Sequence, residues 1–271
     1  MDRINSKIFS SKILLFGEYL VLQGGHSLSF PFKSFTLKRS LDYFPKNKYF
    51  FQKILEYIAR NERLRNRITP AFEEQVNKGL HFESNIPVGY GLGSSGALVA
   101  AIYEDFFIDK SIDIAELKTD LAELESFFHT KSSGIDPLTS YLDKGILSSQ
   151  DKIEVLNDLE LGKFTLYDSG KKRSAKDAIH HFNELKQDNH FNIDLARLTE
   201  ISNKMISKYL LSEDIQSEMF DYSQQQFITF KDFIPENVAQ EWQKGLNTGE
   251  FYMKLCGAGM GGMYLKFNVM P

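Results

Sequence analysis

The sequence predicts an α+β protein in two lobes, on three observations. Strand-like and helix-like stretches alternate as far as Asp168. Helical periodicity takes over after Ser174. Two strands then close the chain around a glycine-rich loop.

Each element has its own signal. Ile8–Leu22 is β-rich and reads as paired strands around a turn at Gly17, and Ser27–Arg39 reads as further strand. Tyr49–Arg65 carries Phe51, Ile54, Leu55 and Ile58 at a helical period. His81–Ile86 is a strand and Ser94–Phe107 a helix. Asp113–Phe128 is another helix, with Asp113 as cap and Glu116 three residues later. Ile135–Leu142 is a short helix, and Gly145–Ser149 and Lys163–Asp168 are strands. Helices follow at Ser174–Lys186, Leu195–Leu211, Ser217–Phe233 and Glu236–Gly245, then strands at Tyr252–Leu255 and Gly262–Phe267. The two lobes are expected at residues 1–150 and 151–271.

Composition narrows the function. The 271 residues allow a substantial core, and 42% hydrophobic with 25% charged residues is ordinary for a globular protein. A net charge of −4 without a basic block argues against nucleic acid as partner. No apolar run has the length of a membrane span, and Met1–Asn5 does not read as a signal peptide. Cys256 is alone, so no intrachain disulfide forms. A cytoplasmic protein is expected, and a homodimer is left open.

Residues 87–96, Pro-Val-Gly-Tyr-Gly-Leu-Gly-Ser-Ser-Gly, say most about chemistry. Gly89, Gly91 and Gly93 let the backbone turn tightly, and Ser94 and Ser95 open a helix whose first N–H groups lack partners. Strand, glycine loop and helix start together make a phosphate cradle, although such a turn is also a common plain connection. No Lys follows the last Gly before the serines, so this is not a Walker A loop, and the spacing does not fit the Rossmann fingerprint.

The loop resembles the second motif of the GHMP kinases, Pro-x-x-x-Gly-Leu-Gly-Ser-Ser. Ser11–Tyr19 looks like their first, Lys-containing motif, and Cys256–Gly262 like their third, Gly-Ala-Gly-x-Gly-Gly. The motifs occur in family order across residues 11–262. The resemblance implies a ribosomal protein S5 domain 2-like N-terminal lobe that binds ATP, a ferredoxin-like helical C-terminal lobe, and an active site in the cleft between them. ATP and Mg2+ are the implied cofactors.

Roles carry over residue by residue. Pro87, Gly89, Gly91, Leu92, Gly93, Ser94, Ser95 and Gly96 would bind the nucleotide. Asp136, in Ser-Gly-Ile-Asp, resembles the mevalonate kinase carboxylate that faces the acceptor hydroxyl; on its own it would read as a helix cap. Lys12 would stabilise charge on the transferred group. Glu125, eleven residues before Asp136, is implied as magnesium ligand together with Ser95, with Glu123 the nearby alternative. Glu18, Tyr19, Arg173, Ser174, Gly257, Ala258 and Gly259 would bind the substrate. The third loop is expected to pack on the phosphate loop, with Cys256 a buried filler.

The implied reaction is ATP-dependent phosphorylation of a small alcohol, with mevalonate first, as in isoprenoid precursor synthesis. Two features keep phosphomevalonate or another GHMP acceptor as the alternative. Glu18-Tyr19 stands where the family often has Glu-His, and Lys171, Lys172, Arg173 and Lys176 form a basic cluster in which Ala175 replaces a family Thr. The related decarboxylases differ in the phosphate loop, and the galactokinase sugar motif is absent. A reading of another class is a metabolite-sensing relative without activity. Joint retention of Lys12, Ser95, Glu125 and Asp136 argues against it.

Overall fold

A computed structural model describes residues 7–269 except 130, 151, 158 and 160. Met1–Asn5, which bear the signal-peptide expectation, lie outside the described residues. The chain is mixed α and β and divides into two compact units that interleave in sequence. One comprises the chain up to Lys12, Pro31–Ile86 and Gly93–Lys144; the other comprises Ile13–Phe30, Pro87–Leu92 and everything from Gly145 on.

The first strands are β1 (Ile8–Phe16), β2 (Ser27–Arg39) and β3 (Phe82–Ser84), followed later by β4 (Gly145–Ser148) and β5 (Ile153–Leu156). They form one sheet in the order β1-β2-β4-β5, with β3 also paired to β2. The expected second strand after Gly17 is absent. Gly17 and Tyr19 both have positive φ, and Leu20–Gln23 is a short 3₁₀ helix closed by left-handed Gly24. Two left-handed residues so close together turn the backbone out of extended geometry, which overrides the β propensity of the side chains.

In the first unit β2 pairs antiparallel with β3, Leu37 opposite Ser84. Helices α1 (Lys48–Arg60) and α2 (Pro70–Lys78) follow β2. The first ends at Asn61, short of Arg65, and the second was not anticipated. Helices α3 (Ser94–Phe106), α4 (Ile114–Glu125) and α5 (Ile135–Leu142) pack together. α3 buries residues around most of its circumference, including Ala97, Val99, Ala100, Ala101 and Ile102, as a helix enclosed by neighbours must. Gly96 allows the close approach of α5: a Cβ there would lie 2.9 Å from the Pro137 nitrogen. Asp113 caps α4 as its spacing predicts, accepting from the Glu116 N–H at 3.0 Å.

In the second unit β2 pairs with β4 and β4 with β5, all antiparallel. A separate three-stranded sheet has the order β6-β8-β7, from β6 (Thr165–Asp168), β7 (Phe251–Leu255) and β8 (Met263–Asn268). Helices α6 (Ala175–Leu185), α7 (Asn189–Leu210), α8 (Gln216–Thr229) and α9 (Glu236–Thr248) complete this unit, and α8 and α9 pack on β7. Trp242 is fully buried, and its indole N–H donates to Ser223 Oγ at 2.8 Å, so its one polar atom is satisfied. No described helix is long and apolar enough to cross a membrane.

Candidate active site

The first unit gathers four of the expected residues. Lys12 projects from β1 and is almost wholly buried, with Nζ 2.9 Å from Asp136 Oδ1. Asp136 sits in the first turn of α5, which follows left-handed Gly134. A Cβ on Gly134 would lie 2.5 Å from the Lys118 carbonyl, so Ser-Gly-Ile-Asp needs its glycine for the turn that presents the Asp. Glu125, at the end of α4, accepts from Ser95 Oγ at 3.3 Å and from Ser132 Oγ. The side chain of Glu123 instead accepts from Asn61 Nδ2 at 2.8 Å. The two carboxylates on this turn are thus separated by geometry, and Glu125 is the one beside Ser95.

Two buried carboxylates of this unit show how environment divides structural from chemical roles. Burial alone would raise Asp120, but hydrogen bonds from Arg67, Tyr103 and Arg63 outweigh it and hold its carboxyl below the usual range. Glu125 accepts from the hydroxyls of Ser95 and Ser132 and feels the positive charge of Lys12 less than its burial. Burial, reinforced by the negative charge of Asp136, pushes its carboxyl up to about 7. A buried carboxylate short of positive charge is a place where a cation would be welcome. Among the described residues no three His, Cys, Asp or Glu side chains converge. Magnesium commonly takes one or two carboxylates and completes its shell with phosphate oxygens and water, so Glu125 with the Ser95 hydroxyl fits as a donor set.

The shift at Glu125 makes a prediction for the metal-free protein. Its folded-state pKa lies above the ordinary 4.5, so the folded protein binds this proton more tightly than the unfolded chain. The burial penalty is therefore absent below pH 4.5, grows through the interval, and is complete above about 7. Chemical denaturation at pH 5 and pH 8 should show Glu125→Gln gaining on wild type as pH rises, by on the order of 1–3 kcal/mol. A difference independent of pH would mean that Glu125 is not held in this way.

Gly93 precedes α3 with φ 74°, and a Cβ there would lie 2.6 Å from Lys12 Cγ. Ser94 and Ser95 are the first residues of α3, and the first helical N–H bonded back is that of Ala97, to the Gly93 carbonyl. The N–H groups of the opening turn thus point outward beside Ser95, with the positive end of the helix dipole behind them.

The second unit holds the rest. Pro87–Leu92 is tied to the segment after β6, since Arg173 N–H donates to the Gly89 carbonyl at 3.0 Å. It is tied as well to the third glycine loop: Met263 N–H donates to the Tyr90 carbonyl at 3.1 Å, and Gly262 N–H to the Lys171 carbonyl at 2.7 Å. A Cβ on Gly91 would lie 2.5 Å from the Cys256 carbonyl oxygen, and one on Gly262 2.8 Å from that of Tyr90. Backbone lies against backbone there, which is why the sequence spends glycines on both loops. Cys256 is buried.

The Arg173 guanidinium lies against Gly91 and Gly257, and its Nη1 is buried without a hydrogen-bond partner. An unpaired buried guanidinium nitrogen is costly in a finished structure and marks a place for an anion. Ser174 caps α6, accepting from Asp177 N–H at 3.2 Å. Glu18 is buried and paired with Lys254, while the Tyr19 hydroxyl donates to the Ala258 carbonyl at 2.7 Å. Lys254 and Ser132 were not singled out in the sequence. A Lys inside the apolar strand Tyr252–Leu255 was the available signal for the first, and the doubled serine before Gly134 for the second.

The family model described as GHMP kinases N terminal domain matches residues 50–144. This segment is thus similar to the N-terminal domain of the GHMP kinases. Solved structures share the fold along nearly its whole length. The L. major mevalonate kinase in complex with R-mevalonate is 16% identical with a TM-score of 0.66, over 98% of this chain and 87% of that one. The Methanococcus jannaschii mevalonate kinase is 17% identical with a TM-score of 0.66, over 98% and 92%. The Streptococcus pneumoniae phosphomevalonate kinase is 15% identical with a TM-score of 0.58, over 98% and 91%. No curated protein matches the chain by sequence.

Proposed function

We propose that the protein transfers the γ-phosphoryl group of ATP to the hydroxyl of mevalonate, with phosphomevalonate as the second candidate acceptor. The observation that carries this reading is the cluster of buried Lys12 and Glu125 with half-buried Asp136 and Ser95, drawn from β1, α4, α5 and α3. Phosphoryl transfer asks a protein for positioning and charge rather than covalent chemistry, and this cluster supplies both signs of charge at a helix start. Pro87, Gly89, Gly91, Leu92, Gly93 and Gly96 shape the loop for the nucleotide, and the opening amides of α3 with Ser94 receive phosphate oxygens. Asp136 orients the acceptor hydroxyl and takes its proton as the oxygen attacks. Lys12, 2.9 Å from that carboxylate, balances the negative charge that builds on the transferred group.

Magnesium would be held by Glu125 and the Ser95 hydroxyl, where it shields phosphate charge. Glu125→Gln should raise the magnesium concentration for half-maximal activity by about tenfold or more, while Glu123→Gln should not. A normal titration for Glu125→Gln with a defective one for Glu123→Gln would reverse the assignment.

On the acceptor side, Arg173 meets an anionic group with its unpaired nitrogen, and Gly257, Ala258 and Gly259 offer backbone groups with Ser174 close in sequence. Residues 1–150 are read as contributing chiefly to the nucleotide and residues 151–271 chiefly to the acceptor. Mevalonate is placed first because Ser-Gly-Ile-Asp resembles that branch, because Arg173-Ser174-Ala175-Lys176 resembles its Arg-Ser-Thr-Lys segment apart from Ala175, and because the neighbours include an enzyme solved with R-mevalonate. A soluble cytoplasmic enzyme of isoprenoid precursor synthesis is the corresponding setting. ADP release should be measured in a coupled assay with mevalonate, phosphomevalonate, homoserine and galactose. The highest kcat/KM is expected for mevalonate. A higher value for another alcohol would replace the acceptor, and ATP binding without any turnover would favour the sensing relative.

A further inference from the structure

The pair Glu18-Tyr19 stands in the first motif where a substrate contact was expected, yet both side chains are already engaged. Glu18 is 2% exposed. Its Oε1 pairs with Lys254 Nζ and accepts from the Gly257 N–H at 3.4 Å, and its Oε2 accepts from the Tyr222 hydroxyl at 3.4 Å. Lys254 is completely buried and donates in addition to the carbonyls of Leu14, at 3.2 Å, and Leu255. An ammonium has three protons to give, so Lys254 is saturated and holds Glu18 facing the interior.

Tyr19 is fixed in another way. Its backbone is left-handed, φ 64° and ψ −19°, a conformation that an aromatic residue adopts only when its surroundings require it. That turn lays the ring on Phe182, with centroids 4.5 Å apart and planes 17° from parallel, and against Phe230 and Phe233. The ring's one polar atom donates to the Ala258 carbonyl at 2.7 Å.

We infer that Glu18 and Tyr19 are positioning residues that clamp the third glycine loop at two successive residues, Glu18 through the Gly257 N–H and Tyr19 through the Ala258 carbonyl, with Lys254 as the anchor of the first point. The loop needs such a device. Gly257, Met260 and the glycines at 259, 261 and 262 all have positive φ, so the planes are held one by one: Met260 N–H donates to the Phe233 carbonyl at 2.6 Å and Gly262 N–H to the Lys171 carbonyl at 2.7 Å, and the clamp holds the beginning of the loop. A trans peptide points its carbonyl and its N–H in opposite directions. Holding the Ala258 carbonyl toward Tyr19 therefore aims the Gly259 N–H away from it, and holding the Gly257 N–H fixes the plane that begins the loop. The acceptor would feel Glu18 and Tyr19 only through this loop, a consequence that rests on the assignment of Gly257–Gly259 to the acceptor made above.

Tyr19→Phe tests the clamp, because it removes one oxygen and keeps the ring stack. Hydrogen–deuterium exchange of the ligand-free protein should quicken about tenfold or more across residues 256–262, with α9 unchanged. In turnover, KM for the acceptor should rise by about tenfold, while KM for ATP and kcat change far less. Glu18→Gln, checked for folding by its thermal transition, should shift both measurements in the same direction. Unchanged exchange at 256–262 in Tyr19→Phe would overturn the clamp, as would a rise in KM for ATP in place of that for the acceptor. Because the exchange measurement uses no substrate, a wild-type protein that phosphorylates none of the candidate alcohols would sink the proposed reaction while leaving exchange to decide the clamp.

Discussion

Asp136→Asn is expected to lower turnover by ~10²-fold or more while ATP affinity stays within about twofold, the lower end of what a positioned acid–base group contributes. The substitution keeps the shape of the side chain and its place in the first turn of α5, but leaves no full charge opposite Lys12 Nζ. On the proposed mechanism Lys12→Met should also reduce turnover, because it removes the positive charge assigned to the transferred group. The two residues touch at 2.9 Å, so their effects should not be independent. The double variant should lose less than the product of the single losses. Fully multiplicative losses would leave both useful and uncoupled, and near-normal turnover by Asp136→Asn would remove it from the mechanism.

Gly93→Val carries the second large effect, on nucleotide binding. Gly93 has φ 74°, where a β-branched residue is strained, and any Cβ there would press on Lys12 Cγ from 2.6 Å. The same substitution at Gly249 isolates the backbone penalty, since that glycine has φ 70° and nothing within 4 Å of a new Cβ. Both variants should lose about 1–3 kcal/mol from backbone strain, and Gly93→Val should lose more because of its contact with Lys12. Only Gly93→Val should lose ATP affinity by calorimetry, by at least about a hundredfold, or roughly 2.7 kcal/mol. Equal ATP affinity in two folded variants would detach this loop from the nucleotide.

What the sequence disclosed and what it concealed follow from the range of the interactions. The glycine loops were legible because their reason is local: positive φ at Gly89, Gly91, Gly93, Gly257 and Gly259 demands glycine, and the residue letters show it. The cap at Asp113 was legible for the same reason, acting on an amide three residues on, whereas the cap at Ser174 was not read. Helix α2 went unread although Pro70 at its start and left-handed Gly79 at its end were both present, because Pro70–Lys78 is short and carries few apolar residues. The false strand after Gly17 came from β-rich side chains whose backbone is set by Tyr19, and Tyr19 is held there by rings from distant helices.

Glu18 and Lys254 could not be read as a pair. They are 236 residues apart, and a charged residue in an apolar strand looks like a solvated edge until its partner is known. The choice of Glu125 over Glu123 was likewise beyond periodicity, since both lie on one turn and only the packing of α3 against α4 distinguishes them.

The central claim is that this chain moves phosphate to an alcohol through the Lys12–Asp136 pair. Its most direct test follows ATP and mevalonate by ³¹P NMR, with wild-type protein and with Asp136→Asn at equal ATP saturation. Wild type should convert the γ-phosphate resonance into a phosphomonoester resonance, one for each ADP formed, and Asp136→Asn should do so at least about a hundredfold more slowly. ADP formed without a phosphomonoester, or the same phosphomonoester formed equally fast by Asp136→Asn, would contradict it.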